Sequence, residues 1–115
     1  MKVIIAGGRQ FNNYDLLKNS CDMILSNKTS IEIVSGAANG ADKLGEKYAS
    51  EKEYSIKQFP ADWNKYGKSA GYKRNEEMAR YADALIAFWD GESKGTKHMI
   101  DLANKYNLKI NIIQY

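Results

Sequence analysis

Lys2-Val3-Ile4-Ile5-Ala6-Gly7-Gly8-Arg9, residues 2–9, runs a short apolar stretch straight into a glycine pair and an arginine. A continuous apolar run bounded by turn residues is the pattern of a strand buried on both faces. The same order recurs twice: Ile31, Ile33 and Val34 lead into Ser35-Gly36-Ala37-Ala38-Asn39-Gly40, and Ala84 to Trp89 leads into Asp90-Gly91-Glu92-Ser93-Lys94-Gly95. Each turn is followed by helical spacing. Glycine lets the backbone turn tightly and approach a ligand, and the following helix offers unpaired N–H groups and a partial positive charge. Repeated three times, the junction predicts a nucleotide-phosphate site.

Outward from these junctions the hydrophobic period alternates. Tyr14, Leu17, Cys21, Ile24 and Leu25 fall at helical spacing through about Asn27, and Ala41, Leu44, Tyr48 and Ala49 line a second helix. Tyr54 to Phe59 reads as a third strand ended by Pro60. After an irregular stretch, Gly71, Asn75, Met78, Ala79 and Ala82 describe a third helix, with Arg74-Asn75-Glu76-Glu77 opening its exposed part. Thr96, Met99, Ile100, Ala103 and Tyr106 make a fourth helix, and Leu108 to Ile113 a fifth strand. Parallel strands need crossovers, and crossovers are right-handed. The order therefore predicts an α/β chain: a Rossmann-like three-layer sandwich, residues 1–115 as one domain, with a mostly parallel five-stranded sheet of order about 3-2-1-4-5 and helices on both faces. In that order the sheet reverses between strands one and four, so the three glycine turns meet in one crevice at the carboxyl ends of the strands.

Composition sets the surroundings. With 115 residues, 43% of them hydrophobic, the chain suits one core. No run approaches the roughly 18–20 apolar residues of a membrane span, and the N-terminal apolar run is too short for an export signal. Cytosolic residence is the expectation. One cysteine excludes an internal disulfide, and one cysteine with one histidine leaves too few soft ligands for structural zinc, so no metal is expected. The formal charge of +3 admits an anionic ligand but argues against the extended footprint of a nucleic-acid binder.

Within the turns, the Arg9 guanidinium suits a phosphate because it can meet two oxygens at once. Ser35 to Asp42 lacks the Gly-Lys-Ser/Thr ending of a P-loop and the spacing of a dinucleotide fingerprint. Its small residues let backbone amides face an anion, and tight packing alone accounts for them equally well. Asp42 reads as compensation of a helix dipole. Thr96 suits both a helix cap and a phosphate ligand. From Asp62 to Asn75, Trp63, Lys65, Tyr66, Lys68, Tyr72, Lys73 and Arg74 interleave aromatic and cationic groups. Aromatic faces stack on bases and cations meet phosphates, the alternative being a solvated loop anchored by its rings. Cys21 falls on an apolar helix face and reads as core. His98 lies close enough to the third turn to touch a ligand, although a lone helical histidine is commonly structural.

Taken together, Ala6 to Phe11, Ser35 to Asp42, Ala61-Asp62-Trp63 through Gly71 to Met78, and Ala82 through Thr96 resemble the YspA-type branch of the SLOG superfamily, with the motifs in the same order from residue 3 to about residue 103. That superfamily also contains the LOG phosphoribohydrolases and the DNA-processing protein DprA. The resemblance implies a Rossmann-like domain that holds nucleotide-derived ligands such as NAD, ADP-ribose or cyclic ADP-ribose-like signals at the glycine loops, often as a homodimer or higher homo-oligomer. Arg74 matches the arginine of the LOG helix motif, with Asn75 in place of its lysine and Met78 retained. LOG enzymes place a glutamate three positions past the threonine of a Gly-Thr pair. Here Gly95-Thr96 is followed by Met99, which cannot handle a proton or stabilise an oxocarbenium-like centre.

The expectation is thus capture of a nucleotide-derived small molecule, by a sensor or a sequestering sponge that needs no cofactor and does not turn the ligand over. Expected contacts are Gly7, Gly8 and Arg9 of the first turn; Ser35, Gly36, Ala37, Asn39 and Gly40 of the second; Asp62, Trp63, Arg74 and Asn75 between; and Asp90, Gly91, Ser93, Lys94, Gly95 and Thr96 of the third. One alternative is a nucleotide N-glycosidase or phosphoribohydrolase using Arg74 with Glu76, Asp90 or His98. A second is single-stranded DNA binding through Lys65, Lys68, Lys73, Arg74, Trp63 and Tyr66. The expected partner is a small molecule, with no membrane and no nucleic acid.

Overall fold

The computed structural model describes residues 1–115. Five strands, β1 (Lys2–Gly7), β2 (Glu32–Ser35), β3 (Ser55–Gln58), β4 (Ala84–Trp89) and β5 (Lys109–Gln114), form one sheet in the order β3-β2-β1-β4-β5, as expected. Every pairing is parallel. β1 lies at the centre, with Val3 opposite both Ile33 of β2 and Ala84 of β4.

The two-residue period of a strand sends alternate side chains to opposite faces, and the core divides accordingly. Val3, Ile5, Ile33, Ile86 and Phe88 pack against α1 (Tyr14–Leu25) and α2 (Ala41–Lys52) through Leu17, Cys21 and Tyr48. Ile4, Ala6, Val34, Leu85 and Ala87 pack on the other face against α4 (Ala70–Tyr81) and α5 (Lys94–Lys105) through Met78, Met99 and Ala103. Because β1 and β4 are covered on both faces, they read as unbroken apolar runs. No helix is long and apolar enough to cross a membrane.

Two expectations for the middle of the chain need correction. The stretch after Pro60 is not irregular: Asp62 accepts from the Lys65 N–H at 3.0 Å and starts a short helix, α3 (Trp63–Tyr66), followed by a single 3-10 turn at Gly67–Ser69. This helix buries no side chain, so no apolar period announces it. Arg74 and Asn75 do not open an exposed part of α4. They lie in its middle and face inward, with Asn75 only 8% exposed.

Candidate functional site

The turns after β1, β2 and β4 and the start of α4 enclose a cavity of about 460 Å³ at the carboxyl edge of the sheet. Gly7, Gly8, Arg9, Gln10, Ala38 and Asp42 line it from one side; Gly71, Arg74, Asn75, Asp90, Ser93 and Gly95 line it from the other. A smaller cavity of about 310 Å³ adjoins it between Gly36–Asn39 and Pro60–Ala61. Arg9, Ala38, Trp63 and Arg74 border both.

Backbone donors converge on the larger cavity. The N–H groups of Gly8, Arg9 and Gln10 have no acceptor within the chain, and neither do those of Lys94 and Gly95 in the first turn of α5. Thr96 N–H is taken by its cap, Ser93 Oγ, at 3.4 Å. Such amides, at a glycine turn and a helix start, suit an anion.

Charged side chains complete the arrangement. Arg74 Nη1 donates to Gly36 O at 2.5 Å and its Nε to Asn75 Oδ1 at 3.0 Å, which pins the guanidinium between α4 and the turn after β2. Gly36 makes room for it: a Cβ there would stand 2.6 Å from Arg74 Nη1 and 2.7 Å from Asp42 Oδ2. Asn75 Nδ2 lies 3.4 Å from Gly95 O and 3.2 Å from His98 Nδ1, so this one amide links Arg74 to the third turn.

Asp42 is 7% exposed and accepts from Ala38 N–H at 3.2 Å. Burial pushes its carboxyl up to about 6, against the opposing pull of that hydrogen bond and of Arg74 and Arg9. In the unfolded chain the group titrates near 4. The folded state therefore favours the protonated form; this stabilisation is complete below about pH 4 and is lost as pH rises through about 6. Asp42→Asn is expected to raise unfolding free energy at pH 7.5 by about 1–2 kcal/mol and to leave it nearly unchanged at pH 4. Urea unfolding at the two pH values checks this, and a pH-independent effect would contradict it.

The expected contacts do not all reach a cavity. Ser35 is buried in a local network: its hydroxyl donates to Glu46 Oε2 at 2.6 Å and accepts from Ala37 N–H at 3.1 Å. Gly40 shapes the turn, Asp62 caps α3, and Gly91 and Lys94 stand outside both linings. Among the residues considered for catalysis, Arg74 and Asp90 line the larger cavity, but Asp90 Oδ1 is engaged by the N–H groups of Glu92 and Ser93 at 2.9 and 2.8 Å. Those bonds hold its carboxyl below the usual range. Glu76 is turned to Arg80 and Tyr106, and neither Glu76 nor His98 lines a cavity. Met99, 1% exposed, belongs to the core beneath the larger cavity and lines it.

Sequence reasoning missed three polar contributors. Asp42 looks like dipole compensation until the fold sets it against Arg74. Gln10 lies inside the Ala6 to Phe11 motif, but nothing in that motif singles out its side chain as part of the cavity wall. Tyr115 becomes a neighbour only because β5 pairs with β4, which brings its hydroxyl over Gly8 and its ring against Phe11 at 4.7 Å.

The sequence model of the YspA, cpYpsA-related SLOG family matches residues 1–66. The chain is 31% identical to the Gene 61 protein of Mycobacterium phage D29, over 95% of this chain and 93% of that protein. Its fold is similar to that of DNA processing protein A from Helicobacter pylori, in a structure reported for its single-stranded DNA binding mode, with a TM-score of 0.67 and 20% identity. That likeness covers all of this chain, which spans 66% of the length of the other. It corrects the expectation that nucleic acid is not a partner. That protein binds single-stranded DNA, and a whole-chain charge of +3 says little about one face. Here Lys68 joins Arg9 and Arg74 at the cavity, while Lys65 and Lys73 flank the Tyr66 ring at 5.1 and 4.9 Å.

Proposed function

The chain belongs to the YspA, cpYpsA-related SLOG family, and from that premise we propose that its crevice captures a nucleotide-derived small molecule, of the ADP-ribose or NAD-related kind, without turning it over. One observation carries this reading. The free amides of Gly8–Gln10 and of Gly95 meet the guanidinium groups of Arg74 and Arg9 around one cavity, which is the donor set a phosphate requires. Trp63, 51% exposed at the rim, offers a face on which a base can stack. Capture rather than hydrolysis is supported by the apolar Met99 in the cavity floor and by the internal engagement of Asp90 and Glu76.

Incubation with AMP, NAD or ADP-ribose should raise the melting temperature and return the ligand intact on chromatography after heat release. Conversion of the ligand would make the protein an enzyme, and no shift with any of the three would defeat the reading. Trp63→Ala is expected to weaken AMP binding by about 1–2 kcal/mol, roughly tenfold, while sparing inorganic phosphate.

A second reading is favoured by the exposed rings of Tyr66 and Tyr72 beside Trp63, with Lys65 and Lys73 both close to the Tyr66 ring. Such an interleaved surface suits a single DNA strand, whose bases stack while its phosphates meet lysines. A fluorescent oligothymidylate binds in this case, with an affinity that falls steeply with salt.

A further inference from the structure

Asn75 and His98 form a chain of hydrogen bonds that ends on Arg74. Asn75 Oδ1 accepts from Arg74 Nε at 3.0 Å, while its Nδ2 lies 3.4 Å from Gly95 O and 3.2 Å from His98 Nδ1. Two of these neighbours have fixed roles, since a guanidinium can only donate and a carbonyl can only accept. The amide therefore turns its oxygen to Arg74 and its nitrogen to α5, and its second N–H falls to His98. His98 Nδ1 must accept that hydrogen, so the imidazole is neutral and carries its own proton on Nε2.

His98 is held in place from α4 as well. The Tyr72 ring meets it edge-on, with the ring centroids 4.4 Å apart, and the imidazole lines neither cavity. The charged groups that act on it, Asp101 of α5 and Glu76 of α4, are themselves tied to Lys97 and Arg80. Burial outweighs their pull and holds the imidazole below its ordinary value, which favours the neutral ring.

We infer that His98 is a positioning residue for Arg74: by accepting from Asn75 it locks the amide that orients the guanidinium, and protonation of His98 releases that lock. In the imidazolium both ring nitrogens carry hydrogen, so Nδ1–H would meet an N–H of Asn75. A half-turn of the amide relieves this contact only by setting its NH2 against Arg74 Nε. Protonation is thus accommodated at the expense of the anion site. The inference rests on the reading of the crevice as a phosphate site and adds a control on it. The grip is full above the ordinary histidine value of about 6.5 and weakens as pH falls below it. Asp42 of α2, its carboxyl pushed up to about 6 in the cavity wall, works in the opposite direction, because losing its charge favours an anion.

The chain has one histidine, so its imidazole NMR signals are unambiguous. Long-range nitrogen–proton spectra at neutral pH should show hydrogen on Nε2 and none on Nδ1; hydrogen on Nδ1 overturns the inference whether or not any ligand binds. ADP-ribose is the probe for the coupling, because its bridging phosphates lack the second ionisation, near about 6, of a phosphate monoester. His98→Phe keeps a ring against Tyr72 but no acceptor, and His98→Asn keeps an acceptor that does not titrate. Calorimetry at neutral pH should find His98→Phe about fivefold weaker, the worth of one hydrogen bond, and His98→Asn within about twofold of the original. Below about pH 6 the original protein should lose affinity relative to His98→Asn, in which Asp42 still titrates. Parallel pH profiles, or a folded His98→Phe protein that binds as the original does, overturn the inference. Linkage supplies a further sign: ADP-ribose should lower the imidazole pKa, whereas a phosphate acting by its charge alone would raise it. A rise overturns the inference, and this measurement on the unaltered protein decides should His98→Phe fail to fold. If ADP-ribose binds to none of these proteins, the phosphate reading falls and takes the positioning role with it, even where the hydrogen on Nε2 upholds the bond between Asn75 and His98.

Discussion

Arg74→Ala is expected to weaken AMP binding about a hundredfold, the equivalent of about 2–3 kcal/mol for hydrogen bonds to a charged group. This is the largest binding effect expected of any single side chain here, because Arg74 is oriented before the ligand arrives. Its bond to Gly36 O fixes the tip and its bond to Asn75 Oδ1 fixes the neck, so little side-chain entropy is lost when a phosphate meets the remaining donors. Arg74→Lys keeps the charge but not the fork and should recover only part of the loss. Titration calorimetry with AMP measures all three proteins, and circular dichroism verifies their folding. A folded Arg74→Ala protein that binds AMP as the original does would show that the anion sits elsewhere.

Gly40→Val is expected to lower stability by about 4 kcal/mol, of which strained backbone and steric overlap each supply roughly half. Gly40 has φ +78°, a conformation that a β-branched residue rarely adopts. A Cβ there would lie 2.3 Å from Gly8 O and 2.6 Å from Arg9 O, both main-chain atoms that cannot swing aside. The overlap falls where the turn after β1 meets the start of α2, joined by the 3.3 Å bond from Ala41 N–H to Gly8 O. Gly91→Ala is the control. Its φ is +86°, yet nothing lies within 4 Å of the added atom, so it should cost only the backbone share, about 2 kcal/mol. Urea unfolding of the two variants separates the contributions, and equal midpoints would refute the steric account.

The sheet could be read from the chain because its central strands are buried on both faces and must be apolar throughout, as Val3–Ala6 and Ala84–Phe88 are. The meeting of the three glycine turns followed from topology alone. What escaped was set by tertiary contact. Asp42 owes its raised pKa to burial, and Tyr115 owes its place to the pairing of β5 with β4, neither of which a local pattern encodes. Ser35 and Asp62 show the converse. Both have the side-chain chemistry of ligand contacts, but nearby N–H groups and Glu46 claim their oxygens first.

α3 and the turn that follows it carry Trp63, Tyr66 and Lys68 without placing a single side chain in the core. The cradle proposed for a phosphate is different, being built of Arg74 and of main-chain turns anchored in both halves of the core. Recognition is thus divided between a part that the fold cannot surrender and a part that it can exchange freely. On the proposed reading, chains sharing this sheet can keep a phosphate site while re-specifying everything attached to it, and residues 62–69 are where such divergence costs the least.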